Sequence, residues 1–231
     1  MRLVCRIEVK NNWVVKGVQY EGVGKVLALD KGYRIPSNDK IEEVILLDLT
    51  RSVFGLPPNF MALEIVAENT NLPITFGGGI DSVEAALKAF ELGASKVYLN
   101  SSVTVNETSL VNELVKIVGR QAITIGCEYR IENGQRMCYG EAGREPFQET
   151  LTDRAIAMNA CGAGEIVVSH IESDGIEKGF DWECLDELPP LPIPIILASG
   201  GSQAELDKIQ GYESMKCEAL CFSKVFNNDY G

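Results

Sequence analysis

The chain has 231 residues and a formal net charge of −12, from 21 basic and 33 acidic side chains. Nucleic-acid binding relies on a basic face that displaces counterions from phosphates, and peripheral membrane binding relies on cationic stripes. The lysines and arginines here are spread singly along an acidic chain, so the composition predicts no nucleic-acid partner and no membrane partner. Hydrophobic residues make up 45% and charged residues 23% of the chain, which is typical of a globular protein.

We expect a cytoplasmic protein with reduced thiols. The first residues, MRLVCRIEVK, carry charges that interrupt an apolar signal-peptide core, and the longest apolar runs are far shorter than the roughly 20 residues that span a bilayer. Seven cysteines are scattered without a CxxC pair, and the only histidine, His170, receives no role. These patterns predict no metal site, no disulfide framework and no bound cofactor.

Eight β-rich segments alternate with helical patterns along the chain. The predicted strands are residues 3–9, 43–49, 72–77, 95–100, 122–129, 165–171, 193–198 and 218–223. Several are apolar at consecutive positions, as expected of parallel strands covered on both faces. Segments 82–94, 109–119 and 150–164 repeat apolar residues at spacings of three and four and end at glycine, which predicts helices.

The average length of these units favours a closed barrel. Eight units in this chain average about 29 residues each, close to one βα unit, so we predict a (βα)8 TIM barrel that forms a single domain over residues 1–231. A doubly wound open sheet is the structural alternative, but it normally begins with a glycine-rich turn that NNWVVKG does not match. Residues 22–43 contain Gly32 and Pro36 and predict only a degenerate first helix, and no full closing helix is expected after the eighth strand.

The two halves of the chain look like copies of each other. IEVK in the first half matches CEYR in the second at an offset of 120 residues. VILLDLT matches EIVVSHI, and PITFGGGI matches PIILASGG, both at an offset of 121. A barrel of two half-barrel repeats places Glu8 and Glu128 at corresponding strand ends, on opposite sides of one mouth.

The active site of such a barrel lies at the C-terminal ends of its strands. Two carboxylates in a barrel mouth lose hydration, and their expected use is acid–base catalysis, in which one takes a proton and the other gives one. We therefore predict Glu8 and Glu128 as a catalytic pair. Lys16, on the first βα loop, is a third candidate because it is placed to reach a ligand anion, and a flexible surface lysine is the alternative. The alternative is that Glu8 forms a structural ion pair with Lys16 or Arg130.

Glycine and small polar residues follow strands in both halves. Glycine lets backbone N–H groups approach a phosphate, and Ser or Asn adds a donor. One cluster in each half predicts a small metabolite with two phosphates across the mouth, whereas tight βα turns are the alternative reason for the glycines. The predicted phosphate-binding residues are Gly79, Asn100 and Ser101 in the first half and Asp174, Gly175, Gly201 and Ser223 in the second.

Together these motifs resemble the cyclase subunit of imidazole glycerol phosphate synthase. The matching segments, in that family's order, are Glu8–Lys10, VVKGV, LLDLT, FGGGI, KVYLNSS, GAGEI, SDGIEKGFD and LASGG. The resemblance implies a lyase that receives ammonia from a glutamine amidotransferase subunit and uses it on a bis-phosphorylated ribotide in histidine biosynthesis. It also implies a ring of alternating charges that guards the ammonia path at the bottom of the barrel, formed here by Arg2, Glu43, Lys96 and Glu165.

Some positions depart from the family pattern. The family's acid–base pair consists of two aspartates, where this chain has Glu8 and Glu128. Ile176 replaces a hydroxyl residue, and Ser223 and Lys224 compete for one family position. Three functions therefore stay open: the synthase reaction itself, a paralogue that delivers ammonia to another acceptor such as an activated sugar in surface-polysaccharide synthesis, and a catalytically weak barrel that binds a phosphorylated metabolite.

Overall fold

The computed structural model describes residues 1–30, 32–36, 38–211 and 216–227. Its strands are β1 (Arg2–Lys10), β2 (Trp13–Val18), β3 (Glu21–Ala28), β4 (Ile41–Asp48), β5 (Ile74–Gly77), β6 (Lys96–Leu99), β7 (Ile123–Glu132), β8 (Gln135–Gly140), β9 (Glu145–Thr150), β10 (Glu165–His170), β11 (Ile195–Ala198) and β12 (Ala219–Phe222). Its helices are α1 (Phe60–Glu68), α2 (Val83–Glu91), α3 (Ser109–Val118), α4 (Leu151–Cys161), α5 (Cys184–Glu187), α6 (Gln203–Asp207) and α7 (Lys224–Asn227).

Eight parallel strands close into a barrel. The order around the ring is β1, β4, β5, β6, β7, β10, β11 and β12, and β12 pairs with β1 to complete it. Each of these strands coincides with one of the eight predicted segments, so the predicted (βα)8 TIM barrel is confirmed. Apolar residues occur at consecutive strand positions in this fold because one face of each strand is buried in the lumen and the other face is buried against the helices. In β4, for example, all residues but one are buried.

Two antiparallel hairpins extend the barrel, one in each half. β1 continues through β2 and β3, and β7 continues through β8 and β9. The turns carry Asn11 and Asn133 in the left-handed region, which asparagine tolerates and which hairpin turns require. Because β1 and β7 begin the two halves, the matched hairpins support the half-barrel repeat. Sequence analysis did not predict either hairpin.

Three helices form where they were predicted, and each is shorter than its predicted segment. α2, α3 and α4 lie within the three predicted segments. α4 begins at a capping box between Thr150 and Asp153 and ends at Gly162 in the left-handed conformation. The segment with the predicted degenerate first helix forms β3 and a loop, with no helix among its described residues. After the last strand the structure describes only the four-residue helix α7. None of the helices in the described ranges is long and apolar enough to cross a membrane.

Side chains of alternate strand residues fill the barrel lumen in layers. A buried apolar cluster occupies the middle of it, formed by Val4, Ile45, Leu47, Tyr98, Val167, Ile196, Ala198, Ala219 and Cys221. Tyr98 on β6 lies over Gly126 of the neighbouring strand β7, where a Cβ atom would stand only 2.2 Å from the tyrosine oxygen. The glycine on β7 thus makes room for a large aromatic ring inside the barrel.

We expect Gly126→Ala to destabilise the fold by about 1–3 kcal/mol, because the new methyl group overpacks the ring of Tyr98. Urea unfolding measures the change, and Tyr98→Ser in the same chain should recover part of it. Gly24→Ala is the control, since the nearest atom to its Cβ is 4.0 Å away. Equal effects of the two glycine substitutions would contradict this packing.

Candidate active site

Glu8 and Glu128 lie one residue before the parallel pairing of β1 with β4 and of β7 with β10 ends, which is the C-terminal end of the barrel. The strands β1 and β7 are four strands apart in the ring of eight. The two side chains therefore approach the barrel axis from opposite sides. Both are buried, with 4% and 7% of their surfaces exposed. The structure thus brings the predicted catalytic pair together at one mouth, as the repeat requires.

Glu8 forms an ion pair with an arginine inside the barrel. Arg6, two residues earlier on β1, places Nη2 2.9 Å from Glu8 Oε1 and also pairs with Asp174. Ser199 Oγ donates to Asp174 Oδ1 at 3.0 Å. The structural ion pair of Glu8 is therefore with Arg6, not with Lys16 or Arg130 as the alternative had it. Sequence analysis missed Arg6, although period-two alternation turns it into the same lumen as Glu8.

Glu128 has a neutral partner. Tyr98 Oη donates to Glu128 Oε1 at 3.2 Å, and the second oxygen, Oε2, is buried with no hydrogen-bond partner among the residues that the structure describes. Ser169 lies beside Glu128 on the neighbouring strand β10, and its buried hydroxyl likewise has no partner in the described part of the chain. One side of the mouth thus has unused hydrogen-bonding capacity.

Burial raises the pKa values of both carboxyl groups to near neutral pH. Desolvation raises the pKa of Glu8 to about 7, although Arg6 opposes the rise. Desolvation likewise raises the pKa of Glu128 to about 7, against the opposing effects of Arg6 and the Tyr98 hydroxyl. A carboxyl group with such a pKa gives and takes protons at physiological pH, which suits acid–base catalysis.

The predicted second-half phosphate residues surround a small pocket that is lined by three cationic and three acidic side chains. Asp174, Gly175, Gly201 and Ser223 line it, together with Arg6, Glu8, Lys16, Glu177 and Lys224. Its volume is about 20 Å³. Lys224 at its edge donates to the Gly175 carbonyl at 2.8 Å and pairs with Glu177 at 3.1 Å. Burial and the nearby Lys224 ammonium lower the pKa of Lys16. Ser223 and Lys224, which compete for one family position in the sequence, both line this pocket.

The predicted first-half phosphate residues line a larger cavity of about 270 Å³. Gly79, Asn100 and Ser101 border it, and it extends to Tyr98 and Glu128. The Asn100 and Ser101 side chains are engaged internally. Asn100 Nδ2 donates to the Tyr139 carbonyl at 3.1 Å, and Ser101 Oγ accepts from the Glu141 N–H at 2.8 Å.

A buried arginine holds Asn100 in place. Arg154 on α4 is fully buried, donates to Asn100 Oδ1 at 3.0 Å and pairs with Glu149. Its remaining donors reach carbonyl groups of Gly126 and Val103. Arg154 was not predicted, because nothing in a helical pattern distinguishes an inward arginine from a surface one.

The four predicted gate residues form a closed ring at the opposite end of the barrel. Arg2 bridges Glu43 at 2.6 Å and Glu165 at 3.1 Å, and Lys96 bridges the same two carboxylates at 3.0 and 2.7 Å. Burial raises the pKa of Glu165, but Lys96 and the other donors around it lower the net value. Glu165 is thus held ionised, in contrast to the pair at the mouth.

Among the described residues, no group of three or more His, Cys, Asp or Glu side chains is arranged to hold a metal ion.

The raised pKa values predict a pH-dependent stability. A carboxyl group whose folded pKa is above its unfolded pKa stabilises the fold fully below the unfolded value, and this contribution is lost as the pH rises through about 7. Relative to Glu128→Gln, the unsubstituted chain should lose about 2 kcal/mol of stability between about pH 5 and pH 8. Urea unfolding at both pH values measures this difference, and parallel pH profiles of the two proteins would contradict it.

Comparison with known proteins identifies the family. Residues 2–229 match the family described as "Histidine biosynthesis protein". The protein named "Imidazole glycerol phosphate synthase subunit HisF" from Chloroherpeton thalassium is 32% identical over 231 residues, which cover 98% of this chain and 90% of that protein. Proteins of the same name from Staphylococcus carnosus and Thermotoga sp. are 33% and 32% identical, with 88% and 87% of this chain and 81% and 79% of those proteins covered. The chain belongs to the histidine biosynthesis protein family of (βα)8 barrels.

Proposed function

We propose that this chain is the synthase subunit of a glutamine-dependent complex of the imidazole glycerol phosphate synthase type. A partner amidotransferase docks at the charged ring, ammonia passes along the barrel axis, and a phosphorylated acceptor at the mouth receives it. One observation carries the proposal. Two buried carboxyl groups with pKa values near 7 and a closed ring of four charges lie at opposite ends of the same lumen.

The lumen between the two ends has an apolar lining, which favours passage of a neutral molecule. Its lining is the apolar cluster that contains Val4, Ile45 and Val167. An ammonium ion would lose its hydration there without compensation, whereas neutral ammonia would not carry that cost. The ring of Arg2, Glu43, Lys96 and Glu165 offers no net charge that would attract ions.

Glu8 and Glu128 have different partners, and this difference assigns one carboxyl group as the base and the other as the acid. The Arg6 cation favours the ionised form of Glu8, so Glu8 is the base that takes a proton from the ammonia nitrogen as its bond to the acceptor carbon forms. Glu128 faces a phenol instead of a cation at hydrogen-bond distance, so it is the acid that protonates the departing oxygen of the acceptor. For a carbonyl acceptor two such rounds are needed, one as the C–N bond forms and one as the C–O bond breaks, and together they move two protons from nitrogen to oxygen. Water then leaves and an imine remains. After each round a proton passes from Glu8 back to Glu128, which restores both carboxyl groups.

The acceptor has two candidates. The name shared by the relatives supports the bis-phosphorylated ribotide that leads to imidazole glycerol phosphate. A different acceptor, such as an activated sugar, is favoured by Arg6, which fills lumen space beside Glu8 and holds its carboxylate. Glutamate also carries its carboxylate roughly 1.5 Å further than the aspartate of the family, and displacement on that scale costs on the order of 100-fold in rate.

Turnover of the bis-phosphorylated ribotide with an ammonium salt tests the proposal without the partner. We expect ammonia-dependent product, and a loss of about 100-fold or more in Glu8→Gln and in Glu128→Gln with nearly unchanged ligand affinity. Glu64→Gln on the exposed face of α1 is the matched control and should retain the rate. A chain that binds the ribotide but forms no product would reject this acceptor in favour of the second candidate.

Lys96→Met tests the role of the charged ring. Removing Lys96 leaves Glu43 and Glu165 with one cation, so glutamine-dependent turnover with the partner subunit should fall several-fold, while turnover with added ammonium changes little. Lys88→Met, at an exposed position on α2, is the control. Equal losses with both ammonia sources would place the damage in folding or chemistry and contradict a passage through the ring.

A further inference from the structure

The second-half pocket is closed by ion pairs among its own side chains. Its volume is about 20 Å³. One water molecule needs about 10–15 Å³ of such space, and a phosphate group is several times larger than a water molecule. A phosphate therefore enters this pocket only when one of the side chains that line it moves away.

The ion pairs of the pocket differ in how firmly they are held. Arg6 pairs with Glu8 and with Asp174, and only 5% or 6% of each of these side chains is exposed. The pair of Lys224 with Glu177, at 3.1 Å, leaves 35% and 29% of the two side chains exposed. Breaking a buried pair leaves an uncompensated charge in the interior, whereas a partly exposed carboxylate returns to water at little cost. Glu177 is therefore the acid that leaves most easily.

The Glu177 carboxylate acts on both lysines of the pocket. Lys224 binds it and also donates to the Gly175 carbonyl at 2.8 Å. Burial and the Lys224 ammonium lower the pKa of Lys16, and the Glu177 carboxylate opposes them. Two ammonium groups that repel each other are stabilised by an anion near both. Glu177 supplies that anion from the chain itself.

The backbone is fixed on both sides of Glu177. Gly175 packs so closely on the first hairpin that a Cβ atom would stand 2.3 Å from the Gly17 carbonyl oxygen. The Gly179 N–H donates to the Gly200 carbonyl at 2.8 Å. Glu177 lies between these anchors with its backbone in the left-handed region, which is uncommon for glutamate. Rotation of the side chain alone therefore moves the carboxylate out of the pocket.

We infer that Glu177 is an internal competitor of the acceptor: its carboxylate occupies the second-half phosphate position of the free protein and is displaced when a phosphate binds Lys16 and Lys224. A tethered carboxylate competes at an effective concentration on the order of millimolar, so it weakens the hold on phosphate-bearing substrate and product alike. This inference rests on the proposed function, since it assigns the residues that receive one of the two phosphates of the acceptor. It leaves the first-half cavity to the other phosphate.

Calorimetry with methyl phosphate tests the competition without ammonia, acceptor or partner. We expect Glu177→Gln to bind this probe about fivefold more tightly than the unsubstituted chain, because the competing carboxylate is gone. Lys224→Met should weaken binding about tenfold or more by removing a charged donor. In the Lys224→Met background the gain from Glu177→Gln should shrink, since the two residues form one pair. Glu172→Gln removes the same charge from an exposed acid earlier in the loop and should leave the affinity unchanged.

Crystals soaked in inorganic phosphate locate the ion, also when calorimetry finds only weak binding. Phosphate should lie against Lys16 and Lys224 with the Glu177 side chain turned toward solvent, and at higher occupancy in Glu177→Gln. Weaker or unchanged binding in Glu177→Gln, an equal gain in Glu172→Gln, or phosphate bound beside an intact Lys224–Glu177 pair would overturn the inference. So would the absence of phosphate from this pocket in Glu177→Gln crystals. Failure of ammonia-dependent turnover would contradict the proposed function and leave these binding results unchanged.

Discussion

The burial of two carboxyl groups at the mouth of a closed barrel is the constraint on which the rest of the site depends. A closed ring of strands has no edge through which water reaches its interior, so Glu8 and Glu128 lose most of their hydration. Their pKa values rise to about 7, and each side chain requires a partner inside the barrel. Arg6 and Tyr98 supply those partners and occupy lumen space in doing so.

The two ends of the lumen use the same residue type in opposite ways. At the floor, two glutamates are clamped between Arg2 and Lys96, and the pKa of Glu165 is lowered. At the mouth, glutamates share a single arginine and a phenol, and burial dominates. At the floor, each glutamate is paired with two cations, and the pairs form a closed ionic ring. At the mouth, the glutamates are incompletely paired, so they are able to exchange protons.

Strand positions were predictable from the sequence because each barrel strand is buried on both faces. A run such as VILLDL admits few alternatives, and the ring of charges was located by resemblance at strand starts. The hairpins were missed although Asn11–Asn12 and Asn133–Gly134 are turn signals that follow β1 and β7 directly. The position of Arg6 could have been predicted, since it lies two residues before Glu8 on β1 and therefore faces the same side of the strand, toward the lumen.

Glu141 could not be assigned to the site from sequence alone, and Lys224 was only a competitor of Ser223 for one family position. Glu141 reaches the cavity only because a hairpin folds back over the mouth, and Lys224 lies at the start of a four-residue helix. Their roles depend on contacts between segments far apart in the chain. Local patterns do not encode such contacts.

The central claim is that Glu8 and Glu128 are poised near neutral pH by burial. Direct titration of the two side-chain carboxyl carbons by ¹³C NMR, assigned with Glu8→Gln and Glu128→Gln, measures this most directly. The account predicts that both carboxyl groups titrate near pH 7. Titration of both at the ordinary glutamate value of about 4.3 would contradict it.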